Sequence, residues 1–424
     1  MADSEARPRE LRVYLASRFG SAAAMTLLRA AVAWHVFDLS HSAFQLGLVG
    51  LVQFVPALAL VLVGGAAADV YERRRIMILS QLAALAGSAL LCVETARGQA
   101  SLPLLYGVIF AVSCAAAFEN PARMALLPTL VSRDAFPRAV TVVGAVTSLA
   151  FATGPALGGL VIAARGVAAA YAANALLLGF SLAGLAALRP GPRETEGGRV
   201  TWRAIREGVA FVRSRPVVWS CMLLDMFAVV FGGASALLPI YAERILQVGA
   251  RGYGLLTSSL ELGSLVMALA LMLRPPIVRA GRALVTAVVV YGLATIVFGL
   301  SRSFPLSLAA YALAGMADQV SVVMRGTAIQ LSTPDALRGR VSSVNMLFIG
   351  ASNQLGAVES GFVAALTTAT FSVVSGGLGC LAVVAAVAWG VPELRRYRLD
   401  RPAPRTEATP AAARPMELAR GSEG

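Results

Sequence analysis

The stretch PARMALLPTLVSRDAFPR at residues 121–138 has a counterpart later in the chain, RGTAIQLSTPDALRGR at residues 325–340. Both stretches place an Arg ahead of an Asp-Ala pair, and each lies between two long apolar segments. Arg123 and Arg325 set the offset between the copies at 202 residues. A repeat at half the chain length, in the same order, predicts two related membrane halves whose symmetry axis runs along the membrane normal.

The composition of this 424-residue chain is that of a membrane protein. Hydrophobic residues make up 57% of the sequence and charged residues only 14%, which is too apolar for a soluble protein. Twelve stretches are long enough to cross about 30 Å of hydrocarbon. They lie at residues 14–37, 45–67, 76–95, 103–120, 139–163, 168–188, 216–241, 253–273, 284–301, 304–325, 341–366 and 369–391. The sequence therefore predicts an all-α membrane protein with twelve transmembrane helices in two pseudo-symmetric six-helix bundles.

The basic residues are distributed unequally across the predicted membrane. All 36 of them are Arg, and apart from Arg18 and Arg29 within the first span, 29 lie toward one side and five toward the other. Cytoplasmic loops of membrane proteins are enriched in positive residues. Both termini and the central linker are therefore expected in the cytoplasm. Topology explains the net charge of +13, and no nucleic-acid partner is expected.

Loop composition divides the chain into four predicted parts. They are an N-terminal six-helix bundle at 1–188, a cytoplasmic linker at 189–215, a C-terminal six-helix bundle at 216–391 and a disordered cytoplasmic tail at 392–424. Within the linker, Trp202 and Ile205 begin an apolar pattern at helical spacing. This pattern predicts an amphipathic helix on the inner leaflet, and an ordinary cytosolic helix is the alternative.

Loop 2–3, GAAADVYERRR at residues 65–75, resembles a signature of the major facilitator superfamily: a Gly, an Asp four residues later and a basic cluster. Val70 and Glu72 depart from that signature. The resemblance implies the major facilitator fold, in which this loop helps to gate the cytoplasmic face. Arg73 to Arg75 are predicted to pair with acids such as Glu119, although topology alone could explain these Arg residues. The full set of gating candidates is Gly65, Asp69, Arg73, Arg74, Glu119, Arg123, Asp134, Arg325, Asp335, Arg338 and Arg340.

Span 5 contains Gly154, Pro155, Gly158 and Gly159, a group that resembles the fifth-helix motif of antiporters in this superfamily. The motif favours export, and a generic Gly-rich packing face is the alternative. Further segments resemble the enterobactin-exporter branch, which also includes macrolide-type efflux proteins. These segments are residues 120–123, 202–208, 238–243, 333–340 and 356–361.

Ionisable side chains inside the spans are the main site candidates, because a charge in hydrocarbon costs about 2.5 kcal/mol or more. The proton-coupling candidates are Asp225, Asp318, Glu261 and Glu359, and the substrate-binding candidates are Arg29, Asp225, Glu261 and Asp318. Asp225 and Asp318 are the first choices for the proton carrier. Static ion pairs are the alternative for each acid. Arg18 is expected to snorkel to the headgroups and His35 to be solvated near the outer end.

These features together predict a secondary active transporter in the inner membrane. We expect proton-coupled export of a small amphipathic molecule, such as a siderophore or a drug, by a monomer without a cofactor or metal. An importer or uniporter of the same fold is the alternative, followed by a membrane enzyme or a non-transporting sensor. The chain has no Lys and hence no phosphate-binding loop, which excludes an ATP-driven pump.

Overall fold

The computed structural model describes residues 8–132, 134–188, 202–275 and 277–398, and these residues are almost entirely helical. The first half comprises α1 (Pro8–Ser40), α2 (Ala43–Ala59), α3 (Val61–Val70), α4 (Arg73–Ala96), α5 (Leu102–Leu126), α6 (Phe136–Arg165) and α7 (Val167–Ala187). Helix α8 (Trp202–Ser214) lies between the halves. The second half comprises α9 (Pro216–Phe231), α10 (Leu238–Ile240), α11 (Gly249–Met272), α12 (Ala280–Leu300), α13 (Phe304–Leu331), α14 (Asp335–Leu366), α15 (Ala369–Gly390) and α16 (Pro392–Arg396).

Ten helical segments within the described ranges have the length and hydropathy to cross a membrane. The second predicted span is absent from those ten because it is divided at Leu60, four residues after Pro56, into α2 and α3. The eleventh span, α14, is 32 residues long but contains polar residues such as Asn353 and Glu359. Both segments pack along other spans, so they complete the twelve helical segments that the sequence predicts.

The seventh span is interrupted where the sequence predicts a continuous helix. Helix α9 ends at Phe231, and the chain continues through Gly232 and Gly233 into a short 3₁₀ turn, α10 and a π-helix at Tyr241–Ile245. Two consecutive glycines favour such a break, because glycine loses the most conformational freedom in a helix. The Gly232 carbonyl oxygen at this break accepts hydrogen bonds from the Tyr291 hydroxyl of α12 at 3.1 Å and from the Ala234 amide at 2.7 Å.

The same helix pairings occur in both halves. In the first half α1 packs against α6 and α7, and α4 packs against α5 and α7. In the second half α9 packs against α14 and α15, and α12 packs against α13 and α15. Between the halves, α6 packs against α11 and α2 packs against α14, and each of these contacts is the symmetry counterpart of the other. The predicted pair of pseudo-symmetric bundles is confirmed.

The halves are packed together at one end of the molecule. We call the end with loops 2–3, 4–5, 8–9 and 10–11 the Arg-rich end, and the opposite end the Arg-poor end. A buried apolar cluster at the Arg-poor end draws on both halves and includes Phe37, Leu46, Tyr171, Leu237 and Tyr253. Toward the Arg-rich end, one large cluster belongs to the second half and another to the first. This conformation is therefore closed at the Arg-poor end.

Two short helices cover the Arg-rich end of the second half. Helix α8 packs against α9 and α14, with Val212 buried. Helix α16 begins at Pro392, where the sequence predicts disorder; the structure differs because Leu394 is buried beside α12. The side chains of Trp202 and Ile205, and all of residues 399–424, lie outside the described residues.

Candidate functional site

Arg29 of α1 faces the space between the two halves. Its side chain is accessible, whereas its neighbours Leu28 and Ala30 are buried. Its electrostatic partner is Glu261 of α11, in the other half. A guanidinium at mid-span that faces an acid of the opposite bundle is placed to meet a solute between the bundles.

Two carboxylates of the second half complete this group. Asp318 of α13 lies within electrostatic range of Glu261, and both side chains are partly accessible. The structure thus brings together three of the predicted site residues, Arg29, Glu261 and Asp318, with the cation in one half and the acids in the other. We call these three residues the central charge group.

Asp225 has a different environment from the central charge group. It forms an ion pair with Arg325 of α13, and both residues are buried, with 8% and 4% of their surface exposed. Arg325, a gating candidate at the end of the predicted span 304–325, lies inside α13, which continues for six residues beyond it to Leu331. The alternative of a static ion pair therefore describes Asp225 in this conformation.

A small cavity connects Asp225 with the central charge group. Asp225 and Asp318 both line it, together with Tyr291 and Ser321. Sequence reasoning missed Tyr291, although a phenol hydroxyl inside an apolar span is a detectable signal. The cavity thus has on its lining two acids that lie on different helices.

The remaining ionisable groups of the spans lie elsewhere. Glu359 of α14 accepts a hydrogen bond from the Ser360 hydroxyl at 3.3 Å. His35 is buried and its Nδ1 lies 3.0 Å from the Tyr171 hydroxyl, so the expectation that it is solvated is wrong. Arg18 donates from Nε to Thr147 of α6 at 3.1 Å instead of reaching the headgroups, since a hydroxyl partner is available inside the bundle.

The basic cluster of loop 2–3 bonds to helix ends. Arg73 donates to the carbonyl oxygen of Ala125, near the end of α5, and Arg74 donates to that of Leu185, near the end of α7, each at 2.7 Å. Carbonyl groups in the last turn of a helix have no partner within the helix and attract cations. Two of these arginines therefore fasten the Arg-rich end of the first half.

The predicted pairing of this cluster with Glu119 is wrong. Glu119 forms an ion pair with Arg123, one turn along α5, and accepts a hydrogen bond from Gln81 of α4 at 2.9 Å. Arg75 instead pairs with Glu72 at 2.5 Å. Neighbours on the same helix reach each other without any movement of the loop.

The two copies of the repeated stretch use their equivalent arginines differently. In the first copy Arg123 pairs with Glu119, four residues earlier; in the second copy the position four residues before Arg325 is Ser321. Asp225 of α9 supplies the missing acid. Both arginines are thus neutralised within their own half.

The other gating candidates lie at the Arg-rich surface. Arg340 of α14 pairs with Glu207 of α8 at 2.8 Å, which ties the linker helix to the second half. Asp134 and Arg338 are exposed, and a Cβ added at Gly65 would meet open space. The side chains of Asp69 and Asp335 lie outside the described residues.

The motif in α6 contacts two neighbours. Gly154 lies against Thr26 of α1, whereas Gly159 lies against Gly254 of α11 in the other half. A Cβ added at Gly159 would come within 2.7 Å of the Gly254 Cα atom. Pro155 also faces Gly254 through its carbonyl oxygen, and Gly158 packs on α1. The motif therefore forms part of the contact between the halves.

Two inter-half hydrogen bonds were missed by sequence reasoning. Tyr253 of α11 donates to the carbonyl oxygen of Ala30, next to Arg29, at 3.1 Å and is buried. Arg244 donates to the carbonyl oxygen of His41 at 3.1 Å, and its guanidinium lies 5.2 Å from the centre of the Phe37 ring. In the sequence, Arg244 is only one of the five arginines on the side of the membrane with few basic residues.

Comparison with known proteins gives consistent relatives. Residues 10–418 match the family described as transmembrane secretion effector. The enterobactin exporters EntS of Escherichia coli O1:K1 / APEC and of Escherichia coli O45:K1 are each 29% identical over 402 residues, which covers 92% of this chain and 94% of each relative.

Solved structures share the fold of this chain. A bacterial homologue of the human lysosomal transporter Spinster, in an inward-facing and occupied conformation, has a TM-score of 0.73 at 14% identity, over 94% of this chain and 99% of that chain. The human organic anion transporter MFSD10 has a TM-score of 0.62 at 16% identity, over 90% of this chain and 100% of that chain.

Proposed function

This chain belongs to the transmembrane secretion effector family of major facilitator transporters, and we propose that it exports a small amphipathic molecule in exchange for protons. It is a multi-pass membrane transporter and not an enzyme, as its exporter relatives and its fold show. The proposal extends this to the direction of transport, the coupling ion and the residues that couple them.

The observation that supports the proposal is the central charge group between halves that meet at the Arg-poor end. Arg29 is contributed by one half, and Glu261 and Asp318 by the other. If the Arg-rich end is cytoplasmic, this conformation faces inward. Rocking of the halves would then carry the group from one side of the membrane to the other.

The proton is proposed to bind at Glu261 or Asp318. An ionised carboxylate in hydrocarbon is costly, so each acid gains from a proton, from Arg29 or from a substrate donor. A proton and a substrate hydroxyl or amine compete for the same carboxylate oxygens. This competition lets protons enter as substrate leaves, and Asp225 is assigned a structural role because Arg325 already neutralises it.

The substrate class follows from the same three residues. Carboxylates accept hydrogen bonds from hydroxyl or amine groups, whereas the Arg29 guanidinium donates to carbonyl or carboxylate groups. Catecholate siderophores present both kinds of group, and the relatives named above are enterobactin exporters. The α6 motif and these relatives favour export over the alternative of an importer or uniporter.

Proteoliposomes provide the test. The purified chain is reconstituted, a proton gradient is imposed, and uptake of enterobactin into vesicles is compared with uptake of a macrolide. We expect uptake that a protonophore abolishes. In the double variant Glu261→Gln with Asp318→Asn, the rate of uptake should be at least tenfold lower. Glu94→Gln serves as the matched control, because Glu94 lies at the Arg-poor surface beside Arg97.

Three results would contradict the proposal. Uptake that persists with the protonophore would indicate a uniporter. Movement of substrate in the same direction as protons would indicate an importer. Equal loss in the double variant and in Glu94→Gln would remove the central charge group from the mechanism.

A further inference from the structure

Five arginines surround one cavity at the Arg-rich end of the second half. The cavity has a volume of about 620 Å³ and is lined by Arg279, Arg282, Arg395, Arg396, Tyr397 and Arg398. We call it the arginine pocket. It is separate from the central charge group, and neither the predicted gate nor the transport proposal uses it.

The pocket is built from two segments far apart in sequence. One is Arg279 with the first turn of α12, and the other is α16 with the residues that follow it. The Gly281 amide donates to the carbonyl oxygen of Tyr397 at 3.1 Å, and Leu394 is buried in the apolar cluster of this half. Topology explains arginines in either segment, but it does not explain why the fold holds both around one cavity.

Gly281 is needed for this arrangement. Its Cα faces the carbonyl group of Leu394 so closely that an added Cβ would overlap the carbonyl oxygen. Any other residue at this position would push α16 away from α12. The backbone is thus shaped to keep the two arginine segments in contact.

Four of the five arginines of the pocket carry an accessible charge. Arg279, Arg282, Arg395 and Arg396 are accessible, and within the described residues none of these four forms an ion pair with an acid. The positive charges around the cavity repel one another. An anion that enters the cavity is attracted by several guanidinium groups at once and lowers this repulsion. Arginine binds phosphate oxygens in bidentate geometry.

The surroundings place the pocket at the depth of the lipid headgroups. Trp389, near the end of α15, and Leu273, just after α11, are each 88% exposed. Exposed Trp residues mark the boundary between hydrocarbon and headgroups. A basic pocket at this depth has the features of an anionic headgroup site.

We propose that the arginine pocket binds a phosphate group, supplied either by an anionic phospholipid headgroup or by a soluble phosphate. Its volume is within the range of small-ligand sites, which is enough for a glycerophosphate headgroup. The proposal is independent of the transported substrate, because it concerns a surface outside the central space.

Native mass spectrometry of the full chain in detergent tests it. The protein is titrated with phosphatidylglycerol and, separately, with phosphatidylcholine and inorganic pyrophosphate. We expect one phosphatidylglycerol to bind in preference to phosphatidylcholine, with affinity about tenfold weaker in the double variant Arg282→Gln with Arg395→Gln. The charge-matched control is Arg9→Gln with Arg206→Gln, two exposed arginines outside the pocket.

The arms of the experiment separate the two sources and can reject both. Displacement of phosphatidylglycerol by pyrophosphate indicates a shared phosphate site, and pyrophosphate binding without lipid preference indicates the soluble source. Equal lipid and pyrophosphate binding in the wild type and the pocket variant would overturn the proposal. Arg282→Lys with Arg395→Lys keeps the charge and should restore binding, which distinguishes lost binding from misfolding.

Discussion

Asp225 and Arg325 stabilise each other in a buried part of the protein. Each is buried and each would be an unpaired charge without the other. Asp318 lines the same small cavity as Asp225 but is partly accessible and lies near Glu261. The two aspartates therefore have different environments: Asp225 pairs with Arg325 between α9 and α13, and Asp318 lies partly accessible near Glu261.

Removal of one member of the buried pair should destabilise the protein. Asp225→Asn leaves Arg325 charged and unpaired, and we expect a loss of about 3–5 kcal/mol in the free energy of unfolding. Asp318→Asn should lower the free energy of unfolding much less, because the Asp318 side chain is partly accessible. Thermal unfolding in detergent measures both.

The matched control is the double variant Asp225→Asn with Arg325→Gln, in which neither charge remains. Its melting temperature should recover most of the loss seen in Asp225→Asn. Equal destabilisation in the single and double variants would show that packing, and not the charge pair, holds α9 to α13.

Sequence could identify the ionisable residues of the spans but not their partners. A charge in an apolar segment is visible as a departure from composition, and this signal selected Arg29, Asp225, Glu261 and Asp318. Which acid pairs with Arg325 depends on the packing of α9 against α13, two helices about a hundred residues apart. The repeat placed Arg325 among the gating candidates because it aligns with Arg123, which lies three residues beyond the predicted span 103–120.

At the scale of helices, glycines determine how closely the halves approach. Gly159 of α6 and Gly254 of α11 are in backbone contact, and the symmetry-related contact joins Gly361 of α14 to Gly47 of α2. Small residues at such crossings let two helix backbones touch. The glycine motif of the fifth span was visible in sequence, whereas its partner Gly254 could not be assigned without the crossing geometry.

Enlarging Gly159 should separate α6 from α11 at the Arg-poor end. Gly159→Val would place side-chain atoms against the Gly254 backbone, so we expect the closed state to lose population. Cross-linking of Phe44→Cys to Phe362→Cys by a short bifunctional thiol reagent reports this state, because the centres of the native rings lie 4.8 Å apart across the halves. We expect at least a fivefold lower cross-linking rate.

Gly144→Val, on the same helix, is the control, since a Cβ at Gly144 meets open space. It should cross-link at the rate of the parent cysteine pair. Unchanged cross-linking in Gly159→Val would mean that the contact between α6 and α11 tolerates a side chain. This contact would then not determine how closely the halves approach.

For the whole molecule, the balance between its two open states depends on contacts that exist in one state only. Arg244 joins the halves at the Arg-poor end through the carbonyl oxygen of His41 and the face of Phe37. A single such hydrogen bond contributes about 0.5–1.5 kcal/mol, which changes a two-state ratio by roughly twofold to thirteenfold.

Arg244→Ala should therefore shift the protein away from the closed Arg-poor end. The same Phe44→Cys and Phe362→Cys pair should cross-link more slowly, by at most the change in the ratio of the two states, because the rate follows the fraction of closed molecules. Arg251→Ala is the comparison, because Arg251 is also an exposed arginine near this end. A similar effect in both variants would attribute the change to charge and not to the contact with His41.

The sign of coupling between substrate and proton decides whether this fold acts as an antiporter. If the substrate donates hydrogen bonds to ionised Glu261 or Asp318, a proton on that carboxyl competes with it and affinity falls as the pH falls. If Arg29 alone holds the substrate, a proton on Glu261 releases Arg29 and affinity rises as the pH falls. Only the first sign gives exchange, since coupling free energies are reciprocal.

Binding of enterobactin to the detergent-solubilised protein, measured by tryptophan fluorescence across a pH series, distinguishes these cases. We expect affinity to weaken on acidification, and the pH dependence to disappear in Glu261→Gln with Asp318→Asn. Arg29→Gln should weaken binding at every pH but keep the slope, because the competition takes place at the carboxylates. A reversed slope in the wild type would identify co-transport and would contradict proton-driven export, even though the same three residues bound the substrate.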